Sequence, residues 1–128
     1  MAKYPEDLKY LDTHEYVKLD GEIATIGITS FAVQELGDIV FVELPNVGDE
    51  TQKGERFGTV ESVKAVAELF SPIGGSIIEC NTTLEDAPDI LSNDPYESGW
   101  LIKVKISDVS DLDDALSVEQ YQSLVEGH

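Results

Sequence analysis

Basic side chains are scarce: 8 Lys and Arg stand against 26 Asp and Glu in 128 residues, a formal net charge of −18. A surface of that sign repels nucleic acid and anionic membrane, leaving either a solubilising coat or steering toward cationic partners. Cysteine is nearly absent. Cys80 is single and cannot form an internal disulfide. The alternation Ile78-Glu79-Cys80-Asn81 predicts that it shares the buried face of a strand with Ile78, as a reduced thiol in a cytoplasmic protein. No stretch approaches the ~20 apolar residues of a membrane span. Met1-Ala2-Lys3 runs into Tyr4-Pro5-Glu6-Asp7 with no apolar stretch behind the charge, so neither insertion nor secretion is expected. Clustered His and Cys at metal-ligand spacing, a phosphate-binding glycine loop and a nucleophile elbow are all missing.

What is present suits one core. At 41% hydrophobic, the chain predicts a single domain over residues 1–128. Asp20-Gly21 separates two runs of β-formers, Tyr16 to Leu19 and Ile23 to Ile26, which reads as a β-hairpin. Thr29 or Ser30 then caps a short helix carrying Phe31, Ala32, Val33 and Leu36, with Gly37 as its C-cap. Ile39 to Leu44 is nearly all apolar, which predicts a strand covered on both faces. Further strands are expected over 57–62, 66–70 and 76–81, with Val63-Lys64-Ala65 at one reversal and Ser71-Pro72-Ile73-Gly74-Gly75 at the next. Leu101 to Ile106 alternates apolar with basic after Ile102, as a strand with one wet face does. Ser117 and Gln120 make a capping box for a terminal helix whose stripe is Val118, Tyr121, Leu124 and Val125 before Gly127. The pattern is mainly β, with two to four short helices.

Lys64 is the one basic residue between Arg56 and Lys103, flanked by Val63 and Ala65 and set between Glu61 and Glu68. A lysine on a hairpin is ordinarily a solvated charge. One that another enzyme must acylate needs a protruding rigid tip, small or apolar neighbours and a free amine. Tip position and neighbours fit that second description.

The string Glu61-Ser62-Val63-Lys64-Ala65 resembles the lipoylation motif of glycine cleavage H-proteins. Four further blocks resemble the same family in order: Tyr10 to Tyr16 (YLDTHEY), Ala24 to Thr29 (ATIGIT), Leu36 to Pro45 (LGDIVFVELP) and Asn93 to Ile106 (NDPYESGWLIKVKI). Tyr16 stands where the family usually has Trp, and Ile73-Gly74-Gly75-Ser76 departs from its usual turn. The resemblance implies a flattened lipoyl/biotinyl-type barrel-sandwich of two antiparallel sheets, with the modified lysine at a hairpin tip. Biotin carriers, the alternative, usually flank their lysine with Met. Lipoyl domains of 2-oxoacid dehydrogenases typically place Asp before it and lack the His-Glu and Gly-Trp blocks. An unmodified acidic interaction module is a third reading.

The resemblance further implies a non-catalytic, monomeric, cytoplasmic carrier with lipoate joined covalently to Lys64 by a lipoate-attaching enzyme. A pyridoxal-phosphate glycine decarboxylase would load its arm with an aminomethyl group. A folate-dependent aminomethyltransferase would unload it, and dihydrolipoyl dehydrogenase would reoxidise the dithiol. The residues implied for a cleft that shelters the aminomethyl group are Thr13, Glu15 and Glu68, with His14 as structural or cleft-lining. Because a protonated amine has no lone pair with which to expel the thiolate, nearby carboxylates would protect the load.

Overall fold

The computed structural model describes residues 4–126. Met1 to Lys3, Gly127 and His128, on which the leader and helix-end readings touch, lie outside the described residues. In chain order the elements are β1 (Lys9–Tyr10), β2 (Glu15–Asp20), β3 (Ile23–Ile28), α1 (Ser30–Leu36), β4 (Ile39–Glu43), β5 (Glu50–Thr51), β6 (Arg56–Ser62) and β7 (Val66–Phe70). They continue with β8 (Gly75–Cys80), α2 (Thr83–Asp86), α3 (Asp89–Asn93), β9 (Ile102–Ile106), a 3-10 turn (Val109–Leu112) and α4 (Val118–Glu126). A six-stranded sheet in the order β1-β2-β3-β9-β8-β5 faces a three-stranded sheet β4-β6-β7, and every pairing is antiparallel. This is the mainly β architecture with short helices that the sequence pattern predicts, in the two antiparallel sheets that the resemblance implies.

The main core lies between the sheets, where Ala24, Ile26, Val42, Val60, Ile102 and Val104 are completely buried. A second cluster is largely tyrosine: Tyr4, Tyr10, Tyr16 and Tyr121 with Leu8 and Val118. It fastens α4 to β1 and β2, and Tyr10 stacks on Tyr121 with centroids 4.8 Å apart. Tyr16, in place of the usual Trp, fits because β3 offers Gly27 beneath it; a β-carbon there would lie 2.5 Å from the ring. Its hydroxyl donates to Pro95 O at 2.6 Å.

The helix ends follow their capping residues. Thr29 Oγ1 accepts from Ala32 N at 3.3 Å, and Gly37, at φ +83°, closes α1 by donating to Val33 O. Ser117 and Gln120 exchange the two bonds of a capping box, at 2.9 and 3.2 Å.

Three details differ from the sequence reading. Asp20 still pairs with Ile23, so the first turn is Gly21-Glu22, one residue later than Asp20-Gly21. β4 is covered on one face only: a bulge between Ile39 and Phe41 leaves Val40 52% and Phe41 45% exposed. A second bulge, between Ile77 and Glu79, breaks the alternation on which the Cys80 reading rested. Ile77 is buried, Ile78 turns outward, and Cys80 is half-buried with its thiol on Pro45 O at 3.2 Å.

Candidate functional site

Lys64 occupies the tip of the β6–β7 hairpin, where backbone bonds leave little freedom. Ser62 N–H donates to Ala65 O at 2.8 Å. The Ser62 hydroxyl accepts from Lys64 N at 3.2 Å and Ala65 N at 3.0 Å, and its own proton reaches Ala65 O at 3.2 Å. Val63 N donates to Asp38 O at 3.1 Å, tying the tip to the segment that enters β4. With their backbone so held, Val63 and Val66 project apolar side chains, 71% and 63% exposed, on either side of the lysine. Lys64 itself is exposed, and among the described residues its amine makes no ion pair. Glu61 is half-buried on β6, opposite Val66 of β7 and Phe41 of β4. The five predicted motif residues therefore form one unit.

Beside the hairpin runs a groove of about 280 Å³. Its apolar lining comes from Ile28 of β3, Phe31, Ala32 and Leu36 of α1, and Ala67 and Leu69 of β7. Thr13, His14, Glu35 and Glu68 supply its polar edge. Lys64 and Glu68 are four residues apart, which at ~3.3 Å per extended residue is ~13 Å. The sequence-predicted Thr13, His14 and Glu68 thus meet in one groove although 55 positions separate the first from the last.

Glu15 is placed differently. It is 1% exposed and does not line the groove; its carboxylate lies behind it, accepting from the Thr13 hydroxyl and from Phe70 N at 3.3 Å. Burial pushes its pKa up to about 7, against the opposing pull of those two donors. His14 adopts φ +75°, uncommon outside glycine, and its Nδ1 meets the Tyr121 hydroxyl at 2.8 Å. Its ring lies 4.9 Å from that of Phe31.

Sequence reasoning missed Glu35 as a groove residue and Tyr121 as a support for it. The spacing of Phe31, Ala32, Glu35 and Leu36 placed them on one helical face, which was the available signal for Glu35. Nothing local marks Tyr121, 107 positions from His14. A larger open cleft of about 730 Å³, between Glu50 to Lys53 and Lys105 to Asp111, shares no residue with the lysine hairpin or the groove.

The family model described as "Glycine cleavage H-protein" matches residues 8–128. The chain belongs to the glycine cleavage H-protein family. A glycine cleavage system H protein of Cyanothece sp. is 61% identical over 125 residues, covering 98% of this chain and 97% of its own. That of Acaryochloris marina is 56% identical, covering 98% of both. The crystal structure of a glycine cleavage system H protein from Mycobacterium marinum superposes with a TM-score of 0.89 at 38% identity, over 98% of this chain and all of that one. Such agreement extends the family likeness from the five sequence blocks to the whole sandwich. Among the described residues, no helix is long and apolar enough to cross a membrane, and no group of three or more His, Cys, Asp or Glu could hold a metal ion.

Proposed function

We propose that the chain is one domain over residues 1–128 and acts as the lipoyl carrier of the glycine cleavage system, in the cytoplasm, with lipoate on Lys64. The observation that carries this reading is the lysine itself, exposed and, among the described residues, without an ion pair, on a tip fixed by Ser62, about one arm's length along β7 from an apolar groove. An eight-carbon acid on a lysine stem has the reach to enter that groove, and its ring suits the lining of Ile28, Leu36 and Leu69. When attached, lipoate would supply a disulfide–dithiol couple able to carry an aminomethyl group on one sulfur and an electron pair as the dithiol.

The chain's own residues present and shelter. Ser62 and the Asp38 link hold the attachment point steady, while Val63 and Val66 leave an apolar, uncharged approach to Nζ. Ala32, Leu36 and Ala67 give the groove an apolar lining, beside which an opposite charge is worth more than in bulk solvent. Glu68 and Glu35 stand at its edge with carboxylates that favour an ammonium over a neutral amine. Thr13 lines the groove with its hydroxyl proton engaged by Glu15. No residue of the chain is assigned an acid, base or nucleophile role. The partners are the decarboxylase, the aminomethyltransferase, dihydrolipoyl dehydrogenase and the lipoate-attaching enzyme, each meeting a monomer.

The test is intact mass after incubation with a lipoate-attaching enzyme, on the native chain and on Lys64→Arg. The native chain should gain one lipoyl group and support glycine decarboxylation; the variant, which keeps charge but offers no acylable amine, should do neither. Biotin addition in place of lipoate, or decarboxylation with Lys64→Arg as sole carrier, would overturn the assignment.

A further inference from the structure

Tyr121 of α4 is completely buried, yet its hydroxyl ends between two polar atoms from distant parts of the chain, His14 Nδ1 at 2.8 Å and Thr29 Oγ1 at 2.7 Å. Those two residues are also joined through the backbone, where Thr29 N–H donates to His14 O at 3.0 Å. His14 lines the groove from the loop before β2, and Thr29 caps α1, the helix that contributes Phe31, Ala32, Glu35 and Leu36. We propose that Tyr121 is a positioning residue of the groove, its hydroxyl linking the His14 ring to the N-cap of α1 and fixing the tautomer of His14. The proposal rests on the carrier reading above.

The direction of the hydrogen bonds follows from where each proton can go. Thr29 Oγ1 already accepts from Ala32 N, and the Thr29 side chain is fully buried with Tyr121 Oη as its other partner. Among the described residues Tyr121 Oη is the one acceptor within reach of the Thr29 hydroxyl's own proton; in the reverse arrangement that buried proton would have none of them to donate to. Tyr121 then donates to His14 Nδ1, so the neutral imidazole carries its proton on Nε2. The relay is Thr29 to Tyr121 to His14. Together with the backbone bonds from His14 N to Leu11 O at 2.9 Å and from Thr29 N to His14 O, it holds His14 at its uncommon positive φ, a conformation that persists only where its surroundings over-determine it. The ring of Tyr121 has separate support, stacked on Tyr10 and edge-on to Tyr4 with centroids 5.2 Å apart, so the hydroxyl's contribution is separable from the ring's.

Tyr121→Phe keeps the ring and removes the relay. In the apo chain, ¹⁵N spectroscopy should show His14 as the Nε2–H tautomer in the native protein and as a mixture in the variant. In the lipoylated, aminomethyl-loaded chain, hydrolysis to formaldehyde, ammonia and free thiol should speed up severalfold, while the rate of lipoylation stays unchanged because the Ser62-built tip is independent of α4. A merely structural role would change both rates or neither. Thr29→Ser, which keeps a hydroxyl, should behave as the native chain, and Thr29→Val should match Tyr121→Phe; this pair decides the matter if Tyr121→Phe fails to fold. An unchanged tautomer or an unchanged loaded lifetime, in chains that lipoylate normally, overturns the positioning role alone. Failure of the native chain to lipoylate overturns the carrier reading and this inference with it.

Discussion

Replacing Glu15 by Gln should stabilise the protein, and increasingly so as the pH rises. The carboxylate is 1% exposed, and its pKa is raised from 4.5 to about 7. At about 1.4 kcal/mol for each tenfold change in proton affinity, keeping the ionised form folded costs ~3 kcal/mol. The sign follows from proton binding. Between the two values the folded state holds a proton that the unfolded chain has lost, so stability falls as pH climbs through that window and levels off above it. Gln removes the charge yet can still accept from Phe70 N and meet the Thr13 hydroxyl, the two groups that now serve the carboxylate. Urea unfolding of both proteins at about pH 5, 6, 7 and 8 isolates this one group, because every other titration is common to the pair. The advantage of Glu15→Gln should grow by about 2–3 kcal/mol from the lowest to the highest pH. Parallel stability curves would mean that Glu15 ionises as readily in the fold as outside it, and the description of a buried carboxyl behind Thr13 would fail.

Ser62→Ala should lower the rate of lipoylation at Lys64 and speed amide exchange at Lys64 and Ala65, since both amides lose their acceptor; unaltered exchange would show that the backbone alone holds the tip. Glu35→Gln with Glu68→Gln should shorten the lifetime of the aminomethylated carrier up to about tenfold if together they raise the amine's pKa by about one, measured as formaldehyde release from folded protein. Partner docking should weaken with salt, because a −18 surface is screened beyond ~8 Å near physiological ionic strength; a Michaelis constant for the carrier with the decarboxylase that ignores salt would reduce the acidic surface to a solubiliser.

The fold was legible wherever local chemistry decides structure. Thr29, Gly37, Ser117 and Gln120 announce their caps, and β7 and α1 fall where their patterns put them. Bulges were not legible: one residue inserted near Val40 and another near Ile78 turns side chains to the opposite face, and nothing in the side-chain pattern records it. The lysine motif is local and read directly. The groove is not, since it joins Thr13 of the turn before β2, Glu35 of α1 and Glu68 of β7. Glu15 sits in a strand whose inward and outward residues lose strict alternation at its start, with Glu15, Tyr16 and Val17 all buried, so its depth could not be inferred from period.

Because Ser62 closes the tip through its own neighbours, with the Asp38 carbonyl as the one outside attachment among these bonds, most of what presents Lys64 travels within six consecutive residues, Glu61 to Val66. The hairpin end is in that sense a transferable module. Grafted onto another antiparallel hairpin of the same register, it carries its hydroxyl clamp and apolar shoulders with it, and a surface loop elsewhere could become an address for acylation while the sandwich beneath it remained a replaceable pedestal.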